Sequence, residues 1–201
     1  MSMKQTAIRC AKKAGQLMMN YHGKPVKNYN KDGKSLVSVI DLKAEKIIIS
    51  EIKKKFPSHN IISEESDDED NKSDYTWYID PIDGTHNYLR GLPLFGTSIA
   101  CAFRGKVVLG VIYLPYFKEM YVAEQGKGAF CNGKKLNVSS NKNIDFSTII
   151  FDTSYEGRPL ILKTQQKMKK KLHSERCWGC AVYDAACVAS GKSDGWIISK
   201  T

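Results

Sequence analysis

The stretch Trp77-Tyr78-Ile79-Asp80-Pro81-Ile82-Asp83-Gly84-Thr85-His86-Asn87 decides how the rest of the chain is read. Trp77, Tyr78 and Ile79 read as a short buried strand that delivers Asp80 to its end, while Pro81 disfavours helix at Asp80 and fixes its own backbone angle. With Gly84-Thr85 behind, the run cannot continue as ordinary helix or strand, and Asp80 and Asp83 can face one point. Two converging carboxylates repel unless a proton or a cation lies between them. Hard oxygen ligands of this kind suit Mg2+ or Mn2+. Taken alone, an Asp-Pro-x-Asp-Gly run is most often a solvated turn. Just upstream, however, Ile61-Ile62-Ser63-Glu64-Glu65-Ser66 is a second short apolar run that also ends in carboxylates.

Downstream, Leu92-Pro93-Leu94 leads into strands near 95–103, 107–114 and 119–123. Arg104-Gly105-Lys106 makes a hairpin turn, and Asn132-Gly133 is the strongest short hairpin signal in the chain. These make an antiparallel or mixed sheet ending near Ser140. Upstream, residues 4–22 place Ala7, Ile8, Ala11, Ala14, Met18 and Tyr21 at helical spacing, and Gly23 with Pro25 stops them. A second helix is expected over 42–56, with Ile48, Ile49 and Ile52 buried and Asp41 as its N-cap. Residues 67–74 form a very acidic loop, read as solvated surface. From 147 onward the pattern is strand 148–153, helix 160–172, strand near Arg176, helix 181–190 and strand 195–199. The expected organisation is therefore an N-terminal α+β metal-binding domain over 1–145 and a partial C-terminal α/β domain over 146–201.

A chain of 201 residues with 42% hydrophobic content can bury a real core. No charged segment leads into an apolar run at the N-terminus, and the longest apolar stretch, around 107–114, is too short to span a bilayer. The expectation is a cytoplasmic protein with no membrane partner. Its six cysteines then read as reduced packing thiols, and the sequon Asn137-Val138-Ser139 carries no consequence. The net charge of +10 raises nucleic acid as a partner, with Lys167, Lys169, Lys170 and Lys171 as the densest basic run. That reading fails because the basic residues are dispersed and no aromatic residues interleave with the run as a stacking platform. Gly33-Lys34-Ser35 and Gly191-Lys192-Ser193 lack the earlier glycine of a phosphate-binding P-loop. Cys177-x-x-Cys180 lacks the second ligand pair of a structural zinc site.

The pairing of Ser63-Glu64-Glu65-Ser66 with the Trp-Tyr-Ile-Asp-Pro-Ile-Asp-Gly-Thr-x-Asn run resembles the inositol monophosphatase family, Mg2+-dependent and Li+-sensitive sugar phosphatases. The resemblance continues through Gly126-Lys127-Gly128-Ala129-Phe130-Cys131-Asn132-Gly133 and Gly179-Cys180-Ala181 to Val188-Ala189-Ser190-Gly191-Lys192-Ser193-Asp194-Gly195, so it covers nearly the whole chain. It implies a layered α+β/α/β sandwich of alternating helix and sheet layers, a homodimer, and hydrolysis of a small-molecule phosphate ester. By the same resemblance Glu64, Asp80, Asp83 and the carbonyl of Ile82 hold the metals, Mg2+ or Mn2+, and Glu64 and Thr85 position and deprotonate the attacking water. Gly84 and Thr85 receive the phosphate. Arg176, Gly179, Cys180 and Ala181 lie along the sugar alcohol, and Asp41 and Glu65 support the ligands from behind.

Several features depart from the family pattern. His86 stands where the family often has Ser or Thr. Ile198 stands where members that select inositol place a glutamate, which leaves fructose 1,6-bisphosphate, histidinol phosphate and adenosine 3',5'-bisphosphate as alternative substrates. The family's Trp-Asp segment, whose aspartate is a further metal ligand, has no counterpart before Thr201. The corresponding expectations are a weakened second metal site or, as another class of function, an impaired phosphate-binding protein.

Overall fold

The computed structural model describes residues 2–30, 36–152 and 158–198. They divide into two compact units, Met1–Lys135 and Leu136–Thr201.

The first unit opens with α1 (Met3–Tyr21), capped by a box in which the Ser2 hydroxyl accepts from the Gln5 N–H while the Gln5 side chain accepts from the Ser2 N–H. Gly23, at φ +74°, follows the end of the helix. Strands β1 (Asn28–Asn30) and β2 (Leu36–Ser38) pair antiparallel and lead straight into α2 (Val39–Lys53). The expected start of α2 is corrected here: Ser38, not Asp41, is the N-cap. Its hydroxyl accepts from the N–H groups of Ile40 and Asp41, and the Asp41 carboxylate reaches back to the Ser38 N–H at 2.8 Å. Asp41 is thus the third helical residue, closing a capping box. The β-branched Val39 and Ile40, weak helix formers, disguise the first turn.

β3 (Asn60–Ser63), β4 (Tyr75–Asp83), the short α3 (Thr85–Leu89), β5 (Gly96–Phe103), β6 (Lys106–Leu114), β7 (Glu119–Glu124), β8 (Gly128–Cys131) and β9 (Lys134–Lys135) complete the unit. The strands form one seven-stranded sheet in chain order, with β3 parallel to β4 and every other pair antiparallel. The sheet is therefore mixed. The two expected hairpins are present, each with two successive residues at positive φ, Arg104-Gly105 and Asn132-Gly133. Side chains alternate across the sheet: Trp77 and Ile79 of β4 are buried, while Tyr78 between them is 41% exposed. Ile99, Leu109 and Val111 join them against Ala7, Ala11, Ala14 and Met18 of α1 and Ile40, Ala44, Ile48 and Ile52 of α2. Gly15 lets α1 approach β6 closely, because a Cβ there would lie 2.4 Å from the Tyr113 ring. Cys10 and Cys101 are packing thiols in this layer, both pushed up to about 11 by burial.

The acidic loop is more engaged than its composition implies. Glu69 bridges to Ile61 through the backbone and meets Lys53 at 2.5 Å, Asp74 pairs with Arg104 at 3.0 Å, and Asp70 pairs with Lys72.

The second unit contains β10 (Thr148–Phe151), α4 (Arg158–Met168), β11 (Ser174–Arg176), α5 (Ala181–Ala189) and β12 (Gly195–Ile197). All three strands are parallel, in the order β11-β10-β12. Parallel neighbours need long crossovers, and α4 and α5 supply them. Pro159 sits in the first turn of α4, where its missing N–H breaks no helical bond. The expected strand ends Thr153 and Ser199, the stretch Gly33-Lys34-Ser35 and Thr201 lie outside the described residues. Among the described residues, no helix is long and apolar enough to cross a membrane. Helices backing one sheet, followed by a parallel strand-helix unit, make up the layered helix-and-sheet architecture.

Candidate active site

β4 carries the site because it is driven into the core up to Ile79 and loses its regular ladder just beyond. Asp80 pairs with Ser98 and Asp83 with Gly96, so β4 spends one residue more than β5 between the two rungs. This bulge is where Pro81, which has no N–H to donate, is tolerated. The buried Thr97 hydroxyl donates to the Pro81 carbonyl at 2.9 Å and pins the bulge from the neighbouring strand. Gly84, at φ +80° in the left-handed region that favours glycine, turns the chain from β4 into α3. The Tyr88 hydroxyl then ties α3 to the Met18 carbonyl at 2.9 Å, and the Asn87 amide holds Leu94 O at 3.0 Å.

The parallel pairing of β3 with β4 places Ser63 opposite Ile79, and the Glu64 N–H donates to the Ile79 carbonyl at 3.2 Å. Glu64 therefore leaves its strand beside Asp80, and their side chains are hydrogen-bonded. The Asp80 carboxyl is pushed well above the usual carboxylate range by burial, by the charges of Asp83 and Glu64, by the Glu64 hydrogen bond, and by the charge of Asp41. Its Oδ1 is enclosed and has no hydrogen-bond partner among the described residues.

Thr85 lies behind this cluster. Its hydroxyl faces two acceptors, the Ile82 carbonyl at 2.8 Å and Asp41 Oδ1 at 3.0 Å. Asp41 is 1% exposed; burial pushes its carboxyl up, and hydrogen bonds from Ser38 and Thr85 pull the other way.

Asp41, Glu64, Asp80, Ile82, Asp83, Gly84 and Thr85 thus gather around the end of β4. Glu65 follows Glu64, its N–H bound to Glu45 rather than to anything at the cluster. His86 is exposed on α3. In the second unit Arg176 ends β11, its guanidinium donating to Glu175 O at 2.8 Å and lying 6.0 Å from the Trp178 ring. Gly179 has φ +65°, Cys180 is the buried N-cap of α5 and Ala181 its first residue. The sequence reading passes over Thr97, Ser38 and Glu45. For Glu45 a signal existed, since it follows Asp41 by four residues on the same buried face of α2.

Among the described residues no three His, Cys, Asp or Glu side chains close on one point as a finished cation cage. Mg2+ does not need one, since it is usually held by one or two carboxylates with water and substrate oxygens completing the shell. Two hydrogen-bonded carboxyls, a third whose charge acts on them, and an enclosed oxygen without a donor are a donor set that fits such a cation.

A mixed sheet backed by helices thus carries an acidic cluster at the end of β4, the architecture of the layered helix-and-sheet phosphatases. The sequence model of the inositol monophosphatase family matches residues 1–201. The chain belongs to that family, and with it to the phosphoric monoester hydrolases. It is 38% identical over 192 residues to the fructose-1,6-bisphosphatase/inositol-1-monophosphatase of Thermotoga maritima, covering 95% of this chain and 73% of that one. Among solved structures it superposes on the extragenic suppressor protein suhB of Bartonella henselae with a TM-score of 0.92 at 33% identity, covering 96% of this chain and 76% of that one. An IMPase/NADP phosphatase complexed with Mg2+ and phosphate gives a TM-score of 0.76 at 25% identity, over 92% and 68% of the two chains.

Proposed function

We propose that the protein hydrolyses a small sugar or polyol phosphate with the help of Mg2+, Mn2+ being able to replace it. The observation that carries this reading is the enclosed Asp80 Oδ1, without a donor and set among the charges of Asp83, Glu64 and Asp41. Glu64, Asp80, Asp83 and the Ile82 carbonyl would hold the cations; the carbonyl has a second lone pair beyond the one Thr85 uses. Bound there, the cations would supply the charge that acidifies a water and stabilises the leaving oxygen.

The remaining work falls to the chain's own groups. The Thr85 proton is committed to Asp41 or to Ile82 O, so its oxygen faces an incoming water as an acceptor. With Glu64 as the second acceptor, water is oriented by two groups, and Glu64 takes its proton as attack begins. The N–H groups of Thr85 and His86 precede the first helical bond of α3, that of Tyr88 to the Gly84 carbonyl, and would donate to phosphate oxygens. Arg176, Gly179, Cys180 and Ala181 are assigned to the alcohol on the strength of the family motif alone. The homodimer and the Li+ sensitivity rest likewise on family membership, and a cytoplasmic location rests on the sequence pattern alone.

The Thermotoga relative bears both substrate names, so inositol 1-phosphate and fructose 1,6-bisphosphate are the first esters to compare. The test is phosphate release from each, with Mg2+ and with a chelator. Release that needs Mg2+ is the expected result. Absence of Mg2+-dependent release from either ester, and from histidinol phosphate and adenosine 3',5'-bisphosphate, overturns the reading.

A further inference from the structure

One turn beyond Asp41, α2 carries a second buried carboxylate that the proposed chemistry does not use. Glu45 is 5% exposed, and its Oε1 accepts two hydrogen bonds from one short stretch: the Ser63 hydroxyl, and the Glu65 N–H at 3.0 Å. Those residues flank Glu64, whose own N–H is bound to Ile79 O. Three consecutive residues are therefore tied down, the outer two to α2 and the middle one to β4. Glu64 itself is exposed, so burial does not hold its backbone; these ties do. Among the described residues no lysine or arginine forms an ion pair with Glu45. Enclosing a carboxylate with neutral donors costs more than enclosing a leucine, so packing alone gives no reason for a glutamate at this place.

We infer that Glu45 is a positioning residue: it clamps the turn at 63–65 so that the Glu64 carboxylate stays against Asp80. The consequence for catalysis rests on the cation-dependent reading above, whereas the clamp rests on the two hydrogen bonds. Asp41 and Glu45, four residues apart, make α2 a bracket with two teeth, one on Thr85 and one on the turn of Glu64. Both groups assigned to the attacking water are then set by a single helix.

The test compares Glu45→Ala with Glu45→Gln in the full chain. The single amide oxygen of glutamine can accept both bonds that Oε1 accepts now. Mn2+ binding measured by calorimetry without substrate should weaken roughly tenfold to a hundredfold in the alanine variant, the range typical of losing a group that orients a ligand. It should stay near wild type in the glutamine variant. Amide exchange at Glu65 in the metal-free protein should accelerate in the first and not in the second, and kcat should follow the Mn2+ affinity with KM little changed. Wild-type Mn2+ affinity in Glu45→Ala overturns the inference, as does a glutamine variant that fails as badly as alanine. If Glu45→Ala does not fold, Ser63→Ala removes one tie while leaving α2 intact, and an unchanged Mn2+ affinity there is equally fatal. A wild-type protein that binds no Mn2+ overturns the cation reading instead, and the Glu65 exchange comparison then still decides whether Glu45 holds the turn.

Discussion

Replacing Thr85 by valine keeps the shape of the side chain and removes only its hydroxyl. Asp41 Oδ1 and the Ile82 carbonyl then lose a donor at 3.0 and 2.8 Å, in a place where Asp41 is almost fully enclosed. A hydrogen bond to a charged group is worth about 1.5–3 kcal/mol. For a chain of this size each kcal/mol moves Tm by about 2–4 °C, so Thr85→Val should melt roughly 3–12 °C lower at pH 8. The loss is pH-dependent with a definite sign. The Thr85 bond favours ionised Asp41, so without it the Asp41 carboxyl climbs further above its usual range. The Tm gap is full above the variant's Asp41 pKa and closes as pH falls through the wild-type value, where both proteins carry a protonated Asp41. Activity should fall on the order of 10²-fold in kcat, the scale of a positioned proton-transfer partner, and Thr85→Ser should recover most of both losses. Thermal melts in steps from pH 8 down into the acid range, with Mg2+-dependent phosphate release at saturating ester, provide the measurements. A valine variant with wild-type kcat, or a Tm gap independent of pH, refutes the role assigned to this hydroxyl.

Asp83→Asn should abolish Mg2+-dependent phosphate release, yet the metal-free variant should melt no lower than wild type, because the charge of Asp83 works against Asp80; calorimetry with Mg2+ and a thermal melt check the two halves. His59 is held neutral, its Nδ1 accepting from Trp77 Nε1 at 3.0 Å and burial pushing its pKa below the usual 6.5. Its contribution to stability should be full above about pH 6.5 and lost as pH falls through the depressed folded value. Urea titrations followed by tryptophan fluorescence should show this pH dependence in wild type and less of it in His59→Phe, which keeps a ring stacked on Tyr75. Li+ should inhibit in competition with Mg2+; phosphate release indifferent to Li+ at every Mg2+ concentration would place the protein outside the Li+-sensitive branch.

The features readable from the sequence by itself are those set by short-range sterics. Pro81, which fixes its own φ, and Gly84, which tolerates a left-handed turn, mark an irregularity after Ile79 before any partner strand is known, although β4 runs on through a bulge to Asp83 instead of ending at Asp80, and the short α3 behind Gly84 is not foreseen. Also legible were Arg104-Gly105 and Asn132-Gly133, where positive φ selects the turn, and α1, whose apolar residues recur at helical spacing over nineteen residues. The presence of carboxylates at the ends of β3 and β4 was equally legible. What brings them together was not, because it depends on which strands become neighbours. Parallel pairing of β3 with β4 is a long-range choice, made by burying Ile61, Trp77 and Ile79 against α1 and α2, and it is this register that sets Glu64 beside Asp80. The beginning of α2 was misread for the opposite reason: a local capping box at Ser38 and Asp41 outweighs the β-branched residues inside it. Only the folded chain shows that Asp41 also reaches Thr85, forty-four residues away, and that Glu45 reaches the turn at 63–65. A side chain's partner across the core is decided by the packing of whole elements, and no spacing along the chain encodes it.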